Sequence, residues 1–364
     1  MEKDGTLKVA VNEGIVEGFK VKGNVKTKDY VVTREMKLKK GEPFNAKAAR
    51  RSMQRVYNLG YFEDVNIKLN PGREPNGVEV EISVVEMNTG TFGIGAGYSN
   101  ADGFVGMVSI GDKNFRGIGD KINVRWEFGG EDNKNYDFSY TRPWLDDKET
   151  SATLNLYDIT NEYVDYNIDG DEIARYDKKR RGQEITFSRR THNEFVSNYI
   201  TLKNRDDIYK GEADGYEGDE NQYYEDKFNQ SSKYESWMPK TAAERRKENF
   251  GVTRSITFGR VYDSRDNVYD PHEGKRIGYS VEWAGGMGGD FDFTKWTADW
   301  RYYFRAGGES VWALNLGAGY ASGDMPLSQR FTMGGSDTLR GYEDDQFRGN
   351  SCLLYTSPSP RDKR

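Results

Sequence analysis

The chain contains several long segments in which apolar and polar residues alternate at every second position. A period of two is the signature of a β-strand with one apolar face and one polar face. These segments are about ten residues long, whereas strands in soluble sheets most often have about five or six residues. The apolar positions of four such segments are Ile122, Val124, Trp126 and Phe128; Ile277, Tyr279, Val281 and Trp283; Trp296, Ala298, Trp300, Tyr302 and Phe304; and Trp312, Leu314, Leu316, Ala318 and Tyr320.

Composition narrows the class of protein that such strands can build. The 364 residues include 53 Lys+Arg and 59 Asp+Glu, with a net charge of -6, and no stretch approaches the ~20 apolar residues that a spanning helix needs. The acidic balance argues against nucleic acid as a partner, since phosphate binding requires clustered positive charge. One cysteine excludes a disulfide within the chain, and two histidines leave little material for a metal site or a Ser-His catalytic site.

Strand alternation also fits a soluble β-sandwich, so we compared the two interpretations. Large aromatic residues lie near strand ends, as in the interfacial girdles of membrane barrels, and the segments are long. We predict about eleven strands between residues 89 and 321, and the longest connections, 161–180, 206–249 and the segment after 321, follow the fifth, seventh and eleventh strands. All three therefore lie on one side of the sheet. This asymmetry predicts a mainly β, transmembrane antiparallel β-barrel, incomplete at about 11 strands.

The first part of the chain has a different pattern. It reads as strand, helix, helix, strand, strand, which predicts a small α+β domain over residues 16–87. We expect Thr27 to cap a helix that continues to Met36, and a second helix to follow Pro43. Residues 1–15 are predicted to be the end of a preceding module of the same kind, and residues 88–351 to be the partial barrel.

Specific motifs connect these two regions to a known family. The N-terminal domain reads VEGFKVKGN from Val16, and the strand region contains GDKNFRG from Gly111 and GGSDTLRGY from Gly334. With these motifs the chain resembles the outer-membrane protein assembly family that includes BamA and YaeT, and residues 16–87 resemble its polypeptide-transport-associated (POTRA) domain. The last motif is similar to the family's signature in the loop between the eleventh and twelfth barrel strands, where the alternation of loop lengths also placed a long connection.

The resemblance implies an outer-membrane β-barrel assembly factor with its POTRA domain in the periplasm. Such a protein captures unfolded outer-membrane proteins on POTRA strand edges and inserts them into the membrane, without an enzyme activity, metal or other cofactor. The implied partners are these unfolded clients, outer-membrane lipid, periplasmic chaperones and accessory lipoproteins. The implied signature residues are Leu339, Arg340, Gly341 and Tyr342, with the Arg340 guanidinium reaching into the barrel lumen to pair with carboxylates.

The first barrel strand is a second candidate site. In the family this strand meets the last strand at a weak seam, and here it carries Gly90, Gly93, Gly95 and Gly97. Glycines at every second position weaken side-chain packing across a strand pair and loosen its register. We therefore expect this strand to form a seam that opens readily.

The two ends of the sequence lead to a further expectation. Residues 1–20 contain no apolar signal segment, and residues 352–364 abandon the strand pattern and resemble translated sequencing-adapter sequence. We therefore predict a non-native tail over 352–364 and a chain truncated at both ends, with Arg340's lumen partners among the missing strands.

Three other functions are compatible with parts of the sequence. A related POTRA-barrel transporter, of the two-partner secretion or autotransporter-assembly type, shares the POTRA module and the Arg-Gly loop, so it stays open as the alternative. An outer-membrane hydrolase needs a nucleophile with a base, whereas His192 and His272 both fall in predicted short periplasmic turns. A passive pore is disfavoured because the signature loop is expected to occupy the lumen.

Overall fold

The structure is a computed structural model, and it describes residues 13–99, 103–129, 133–166, 170, 172–212, 247, 249–305, 310–335 and 338–356. The chain divides into two compact units. The first contains the chain up to Gly90 together with Asp112–Lys121, and the second contains Thr91–Gly111 and the chain from Ile122 onward. Most of the predicted preceding module, residues 1–12, lies outside the described residues.

The first unit has the predicted βααββ order. Its elements are β1 (Ile15–Lys22), α1 (Asp29–Thr33), α2 (Ala46–Tyr57), β2 (Phe62–Pro71) and β3 (Gly77–Glu86). The strands form one sheet in the order β1-β3-β2, in which β1 runs parallel to β3 and β2 antiparallel to it. The prediction of a small α+β domain is confirmed.

The two helices cover one face of this sheet and create the core of the unit. Asn45 caps α2 with its side chain, which accepts from the amides of Lys47 and Ala48. Arg55 and Glu35 form a buried ion pair with 2.6 Å between Nη2 and Oε2. The buried apolar residues of this core are Val16, Val31, Val32, Leu38, Ala49, Val56, Tyr61, Phe62, Val65, Val80, Ile82 and Val84.

The first helix differs from the prediction. It covers only Asp29–Thr33, its N-cap is Lys28 and no side chain caps it. Thr27 is buried, and its hydroxyl accepts a hydrogen bond from Asn114, 87 positions along the chain. The Thr27 hydroxyl, which the local sequence pattern predicts to cap the helix, instead binds a residue distant in sequence.

The remaining strands form one large antiparallel sheet and a small hairpin. Twelve strands of the described chain follow one another in the order β17-β14-β13-β12-β11-β10-β9-β8-β7-β6-β5-β4, and β15 pairs with β16. The bounds are β4 Gly90–Ser99, β5 Gly103–Phe115, β6 Asp120–Gly129, β7 Asn133–Arg142, β8 Thr150–Tyr166, β9 Glu172–Arg190, β10 Val196–Glu212, β11 Gly251–Asp263, β12 Gly274–Gly289, β13 Phe293–Arg305, β14 Val311–Gly323, β15 Phe331–Met333, β16 Phe347–Gly349 and β17 Ser351–Thr356.

The sheet has one apolar face and one polar face, as the alternation predicts. On β9, for example, Ile185 and Phe187 are exposed, whereas Glu184 and Thr186 on the other face are half-buried. We call the face that carries Ile185 the outer face and the opposite one the inner face. Exposed apolar side chains in register across many strands are what a lipid-facing surface requires.

The prediction of a long loop at 161–180 is wrong. Strand pairing continues to Tyr166 on β8 and resumes at Glu172 on β9, with pairs such as Asn161 opposite Lys178. Hydropathy alternation stops earlier because the side chains there are polar, but β-pairing is made by main-chain groups and continues regardless. The predicted connection at 206–249 also begins later, since β10 extends to Glu212, and residues 213–246 lie outside the described ones.

The sheet also includes residues from the predicted tail. Ser351–Thr356 forms β17 and pairs antiparallel with β14, from Tyr320 opposite Ser351 to Asn315 opposite Thr356. Eleven strands, β4 to β14, thus precede the signature loop, as predicted, and β17 adds a twelfth to the described sheet. The non-native origin of 352–364 and the domain boundaries at 15, 87 and 351 stay predictions.

Candidate functional site

The strand β4 lies at one end of the described sheet, next to β5, and β17 lies at the other end. Phe92 and Ile94 on β4 are 68% and 70% exposed, which agrees with a strand covered on one flank only. The main-chain N–H and C=O groups on the open side of such a strand are a template for pairing with another strand. Both ends of the described sheet therefore offer a strand edge.

The seam glycines give β4 an unusual inner face. Gly93, Gly95 and Gly97 alternate with Phe92 and Ile94, so this face carries no side chain at three successive positions. A Cβ atom built at Gly93 would lie 2.5 Å from the Ser109 hydroxyl oxygen on β5, whereas one at Gly97 would meet nothing within 4 Å. The inner face of β4 consequently contributes little side-chain packing to its pairing with β5.

The signature motif forms a compact loop between β15 and β16. The Thr338 hydroxyl donates to the carbonyl of Gly334 (2.7 Å) and accepts from its amide (2.8 Å), and the Gly335 amide donates to the carbonyl of Tyr342 (3.1 Å). Gly334 has φ +128°, and a side chain there would collide with the carbonyl of Glu343. These contacts fix the base of the loop. Glycine is needed there because a side chain would collide with neighbouring atoms.

The signature residues lie at the tip of this loop. Arg340 is exposed and Leu339 is half-buried. Gly341 has φ +94°, and the ring of Tyr342 contacts that of Phe347 edge-on, with 5.0 Å between centroids. The pairing of Arg340 with lumen carboxylates stays a prediction, and Ser336 and Asp337 of the motif lie outside the described residues.

The segment leading into this loop is held by residues that no sequence motif indicates. Gln329 ends a short 3-10 turn, Leu327–Gln329, and its side-chain amide donates to the buried hydroxyl of Thr253 on β11 (2.7 Å). The Lys295 ammonium on β13 donates to the Gln329 carbonyl (2.7 Å), and the amide of Ser328 donates to Asn249 Oδ1 (3.0 Å). Polar residues of the inner face thus anchor the segment 324–333, which we call the inner arm.

An aromatic contact completes this attachment. Phe331 packs against a buried cluster that includes Phe293 and Met325, and the Lys295 ammonium lies 4.5 Å from the centroid of its ring. A Cβ atom at Gly319 on β14 would collide with the same ring. The small residues of the 312–320 segment were the sequence signal for this contact, because a face without side chains leaves space for a ring.

Charged residues on the inner face pair with one another. The Lys203 ammonium lies 2.5 Å from Glu282 Oε1, which also accepts from the hydroxyl of Ser255 (2.7 Å). Asp207 is buried between Arg205 (2.7 Å) and Arg180 (3.3 Å). The contacts of Lys203 with Glu282 and of Arg180 with Asp207 join different strands, β10 with β12 and β9 with β10, and so help to fix the inner face.

The two edges of the POTRA sheet differ. The segment 41–44 covers the start of the free edge of β1, because the Val16 amide donates to Glu42 (3.0 Å), the Gly41 amide to Val16 (2.8 Å) and the Phe44 amide to Gly14 (2.7 Å). In the described sheet, β2 borders β3 on one side and no strand on the other. Within the described sheet, the edge of β2 is therefore the one open over its full length.

The GDKNFRG motif supplies a buried polar centre within the first unit. Asn114 is 1% exposed; its side chain donates to the hydroxyl of Thr27 (2.8 Å) and accepts from the amide of Gly119 (2.8 Å). The Tyr61 hydroxyl donates to the Gly119 carbonyl (3.1 Å), and the Lys28 amide to that of Gly117 (2.8 Å). The motif is visible in the sequence, but the role of Asn114 depends on the distant residue Thr27 and so has no local signal.

Two carboxylates, those of Asp112 and Glu86, hold residues 26 and 27 next to this polar centre. Asp112 accepts from Thr89 (2.7 Å) and Lys26 (2.8 Å), while Glu86 accepts from the main-chain amides of Lys26 (2.9 Å) and Thr27 (2.7 Å). Burial by itself would raise the pKa of Glu86, but hydrogen bonds, first among them the one from Lys26, bring that pKa below its ordinary value. The charged form of Glu86 therefore helps to hold residues 26 and 27.

Other kinds of site have little support within the described part of the chain. No group of three or more His, Cys, Asp or Glu is arranged there to hold a metal ion. The two histidines lie in the connections before β10 and β12. Across the same residues, no helix has the length and apolar character needed to cross a membrane.

Comparison with protein families agrees with the two-part architecture. Residues 114–359 match the family model described as the Omp85 superfamily domain. Residues 15–87 match the POTRA model, described as the surface antigen variable number repeat. The first match covers more than half of the chain.

Individual relatives extend this result. The outer membrane protein assembly factor BamA of Nitratidesulfovibrio vulgaris is 29% identical over 340 residues, which cover 92% of this chain and 38% of the relative, so the chain spans less than half of that protein. Among solved structures, BamA from Haemophilus ducreyi lacking POTRA domains 1-3 has a TM-score of 0.56 at 21% identity, covering 95% of this chain and 64% of that one. CdiB from Escherichia coli has a TM-score of 0.63 at 13% identity, covering 95% and 61%.

The two structural likenesses show the fold alone, a POTRA domain with a large antiparallel sheet like that of BamA barrels. The family match adds membership, and it agrees with the outer apolar face of the sheet and with the βααββ module before it. The chain belongs to the Omp85 superfamily, as an outer-membrane β-protein whose POTRA domain lies in the periplasm.

Proposed function

We propose that this chain acts in the assembly of outer-membrane β-barrel proteins, by offering strand edges to clients that have not yet folded. The observation that carries the proposal is strand β4, which borders no strand on one side within the described sheet and has an inner face of three glycines. A client strand that pairs with this edge satisfies its main-chain groups before it leaves water, and unpaired main-chain groups are costly in lipid.

The POTRA edge supplies the earlier step of the proposal. An extended client segment adds to the open side of β2 through main-chain hydrogen bonds, which do not depend on side-chain identity. This tolerance suits a binder of many clients. Segment 41–44 covers the start of the β1 edge, whereas the edge of β2 is open in the described sheet, which favours β2 as the docking strand.

The glycines of β4 lower the cost of separating it from its neighbouring strand. Few side-chain contacts support its pairing, so the cost of opening is mainly that of main-chain hydrogen bonds, which a client strand replaces. In this proposal the signature loop, with Arg340 at its tip, holds the inner arm in one arrangement while the edge opens. An Arg paired in bidentate fashion with carboxylates would suit this role better than Lys.

The proposed activity requires no nucleotide, metal or other cofactor, because strand exchange and burial in lipid supply the driving force. It involves no enzyme chemistry. Its partners are unfolded outer-membrane proteins and outer-membrane lipid and, as the resemblance in sequence motifs implies, periplasmic chaperones and accessory lipoproteins.

Proline substitutions on β4 test the proposal. In an antiparallel strand, alternate residues direct their N–H groups to opposite flanks, so Ile94→Pro and Gly95→Pro remove one donor toward β5 and one toward the open side. The protein is reconstituted in liposomes, and a urea-unfolded outer-membrane barrel is added as the client. Folding of the client is followed by its heat-modifiable migration on gels.

We expect the wild-type chain to accelerate client folding over protein-free liposomes. The proline variant that leaves the β4–β5 amides protected from hydrogen exchange is expected to lose this acceleration, because it lacks a donor on the open edge. Acceleration that survives both substitutions, or a wild-type chain no faster than empty liposomes, would overturn the proposal.

A further inference from the structure

The outer apolar band of the sheet is narrow over β9 to β11. On β9 only Ile185 and Phe187 separate Gln183 from Arg189 on the outer face, whereas β13 presents five apolar residues in succession on that face, from Trp296 to Phe304. Six residues of strand cover about 20 Å, and less when tilted, while a membrane barrel's apolar band is about 25 Å tall. Polar residues on these strands therefore come closer to the middle of the membrane than their counterparts on β13.

The narrowing is in register across the neighbouring strands. Leu202 lies opposite Ile185 on one side and Ile256 on the other. The next outer row toward the β8–β9 hairpin places Gln183 opposite Asn204, and Asn204 opposite Arg254. The apolar band thus ends at the same level on three strands, and a polar row begins there.

A depression of about 320 Å³ opens at this boundary. Arg181 and Arg254 line it from β9 and β11, with Asn204 and Asp206 between them and Leu156 at its apolar side. The Arg254 Nε donates to Asn204 Oδ1 (3.1 Å), which directs the guanidinium along the outer face. Two cations and an amide therefore converge beside an apolar wall.

Arg181 and Arg254 form no ion pair with the carboxylates near them in the described part of the chain. Asp158, opposite Arg181 on β8, is occupied by Lys179 at 2.8 Å. Asp206, opposite Arg181 on β10, makes no ion pair within 4 Å among the described residues, and neither do Arg181 and Arg254. The cluster of Lys179, Arg181 and Arg254 with Asp158 and Asp206 keeps one net positive charge.

We propose that this depression binds the phosphate headgroup of a membrane lipid, with Arg181 and Arg254 contacting the phosphate and Leu156, Ile185 and Leu202 contacting the acyl chains. Arginine matches phosphate geometry because its planar fork donates two parallel hydrogen bonds. The headgroup reaches these side chains where the apolar band is narrow. The headgroup and the acyl chains of one lipid thus contact a charged and an apolar surface that lie side by side. A free phosphate ion would contact only the charged surface.

Spin-labelled lipids measure this directly. The full chain is reconstituted in phosphatidylcholine bilayers with a trace of spin-labelled phosphatidylglycerol or phosphatidylcholine, and the motionally restricted fraction gives the relative association of each lipid. We expect the wild type to prefer phosphatidylglycerol and the double variant Arg181→Gln, Arg254→Gln to lose that preference. Two basic residues at about 1 kcal/mol each correspond to roughly a thirtyfold difference in affinity at this site. Far-UV circular dichroism confirms the β-sheet of each variant.

The controls separate this site from general charge effects. Arg50→Gln removes an exposed positive charge from α2, outside the sheet, and is expected to leave the lipid preference unchanged; the double variant with Lys at 181 and 254 is expected to restore part of it. An equal loss with Arg50→Gln, or no loss with the double Gln variant, would overturn the proposal. Excess inorganic phosphate that abolishes the preference at constant ionic strength would identify an anion site and overturn the assignment to lipid.

Discussion

The Glu86 side chain contributes to the response of the first unit to acid. The Glu86 carboxylate accepts from the amides of Lys26 and Thr27, and its pKa is lowered from the ordinary 4.5 in the folded state. A group with a lowered folded pKa stabilises the fold at pH values above its unfolded pKa, and this stabilisation disappears as the pH falls through the folded pKa. Glu86 thus ties the stability of the first unit to pH below about 4.5.

This direction of the pH dependence leads to a prediction for the variant Glu86→Gln. The variant lacks the charge-dependent part of these hydrogen bonds, so its stability at neutral pH should be lower and should change less between pH 5 and pH 3. Hydrogen exchange of peptides covering residues 23–34 measures both effects. As a control, Glu63→Gln changes an exposed carboxylate on β2 and should keep the wild-type pH dependence; a Glu86→Gln profile parallel to wild type would contradict the prediction.

Arg340 yields a second prediction at the residue scale. If its guanidinium holds the signature loop as proposed, Arg340→Ala should slow client folding in liposomes more than Arg348→Ala does. Arg348 is a suitable comparison because it lies on β16 of the same hairpin but outside the signature. Equal effects of the two substitutions would assign Arg340 to an ordinary solvated loop position.

At the scale of elements, β4 shows how glycine positions differ in what they tolerate. A β-branched residue fits a strand better than glycine, by up to about 1 kcal/mol. Gly97→Val has open space, whereas a side chain at Gly93 must displace the Ser109 hydroxyl. We therefore expect Gly97→Val to slow hydrogen exchange of residues 91–97, and Gly93→Val to slow it less or to accelerate it. The reverse order would contradict the packing argument.

The inner arm gives a prediction of the same scale. Gln329→Ala removes the donor to Thr253 and leaves a buried hydroxyl without that partner, at a cost of about 1–3 kcal/mol. The arm should then open more often, and trypsin should cleave after Arg330 faster than in the wild type. Ser328→Ala is the matched control, because Ser328 contacts Asn249 through its main-chain amide, which the substitution keeps. Similar cleavage rates for both variants would count against a specific anchor.

At the scale of the whole molecule, the chain consists of two compact units that are not contiguous in sequence. Asn114 belongs to the first unit although it lies on β5. We expect Asn114→Ala to destabilise that unit by about 1–3 kcal/mol, since it leaves buried polar groups unsatisfied. Hydrogen exchange should therefore rise in residues 23–34 and stay at the wild-type rate in β11 to β14.

The control for this prediction is Asn66→Ala, at an exposed position of β2, which should change neither region. Faster exchange of β11 to β14 in Asn114→Ala would mean that the two units unfold together. Unchanged exchange in residues 23–34 would mean that Asn114 is not the polar centre of the first unit.

The sequence alone determined the fold class, because the two-residue period and the βααββ order are local patterns that main-chain geometry converts directly into strands and helices. Its motifs were sufficient to indicate the family and the signature loop. Other features depended on partners far apart in the chain. Thr27 is a buried acceptor and not the predicted helix cap, because Asn114 donates to it. Gln329 is held only because β11 and β13 place Thr253 and Lys295 within hydrogen-bond distance of it.

Pairing register was likewise decided by the tertiary structure. It extended β8 and β9 through residues whose side chains give no strand signal, and it placed Arg181 and Arg254 beside one depression. Hydrophobic pattern reports which face of a strand is buried, whereas hydrogen bonds between strands and contacts between distant side chains depend on the whole sheet. The sequence therefore specified what this protein is built from, and only the assembled sheet specified which residues meet.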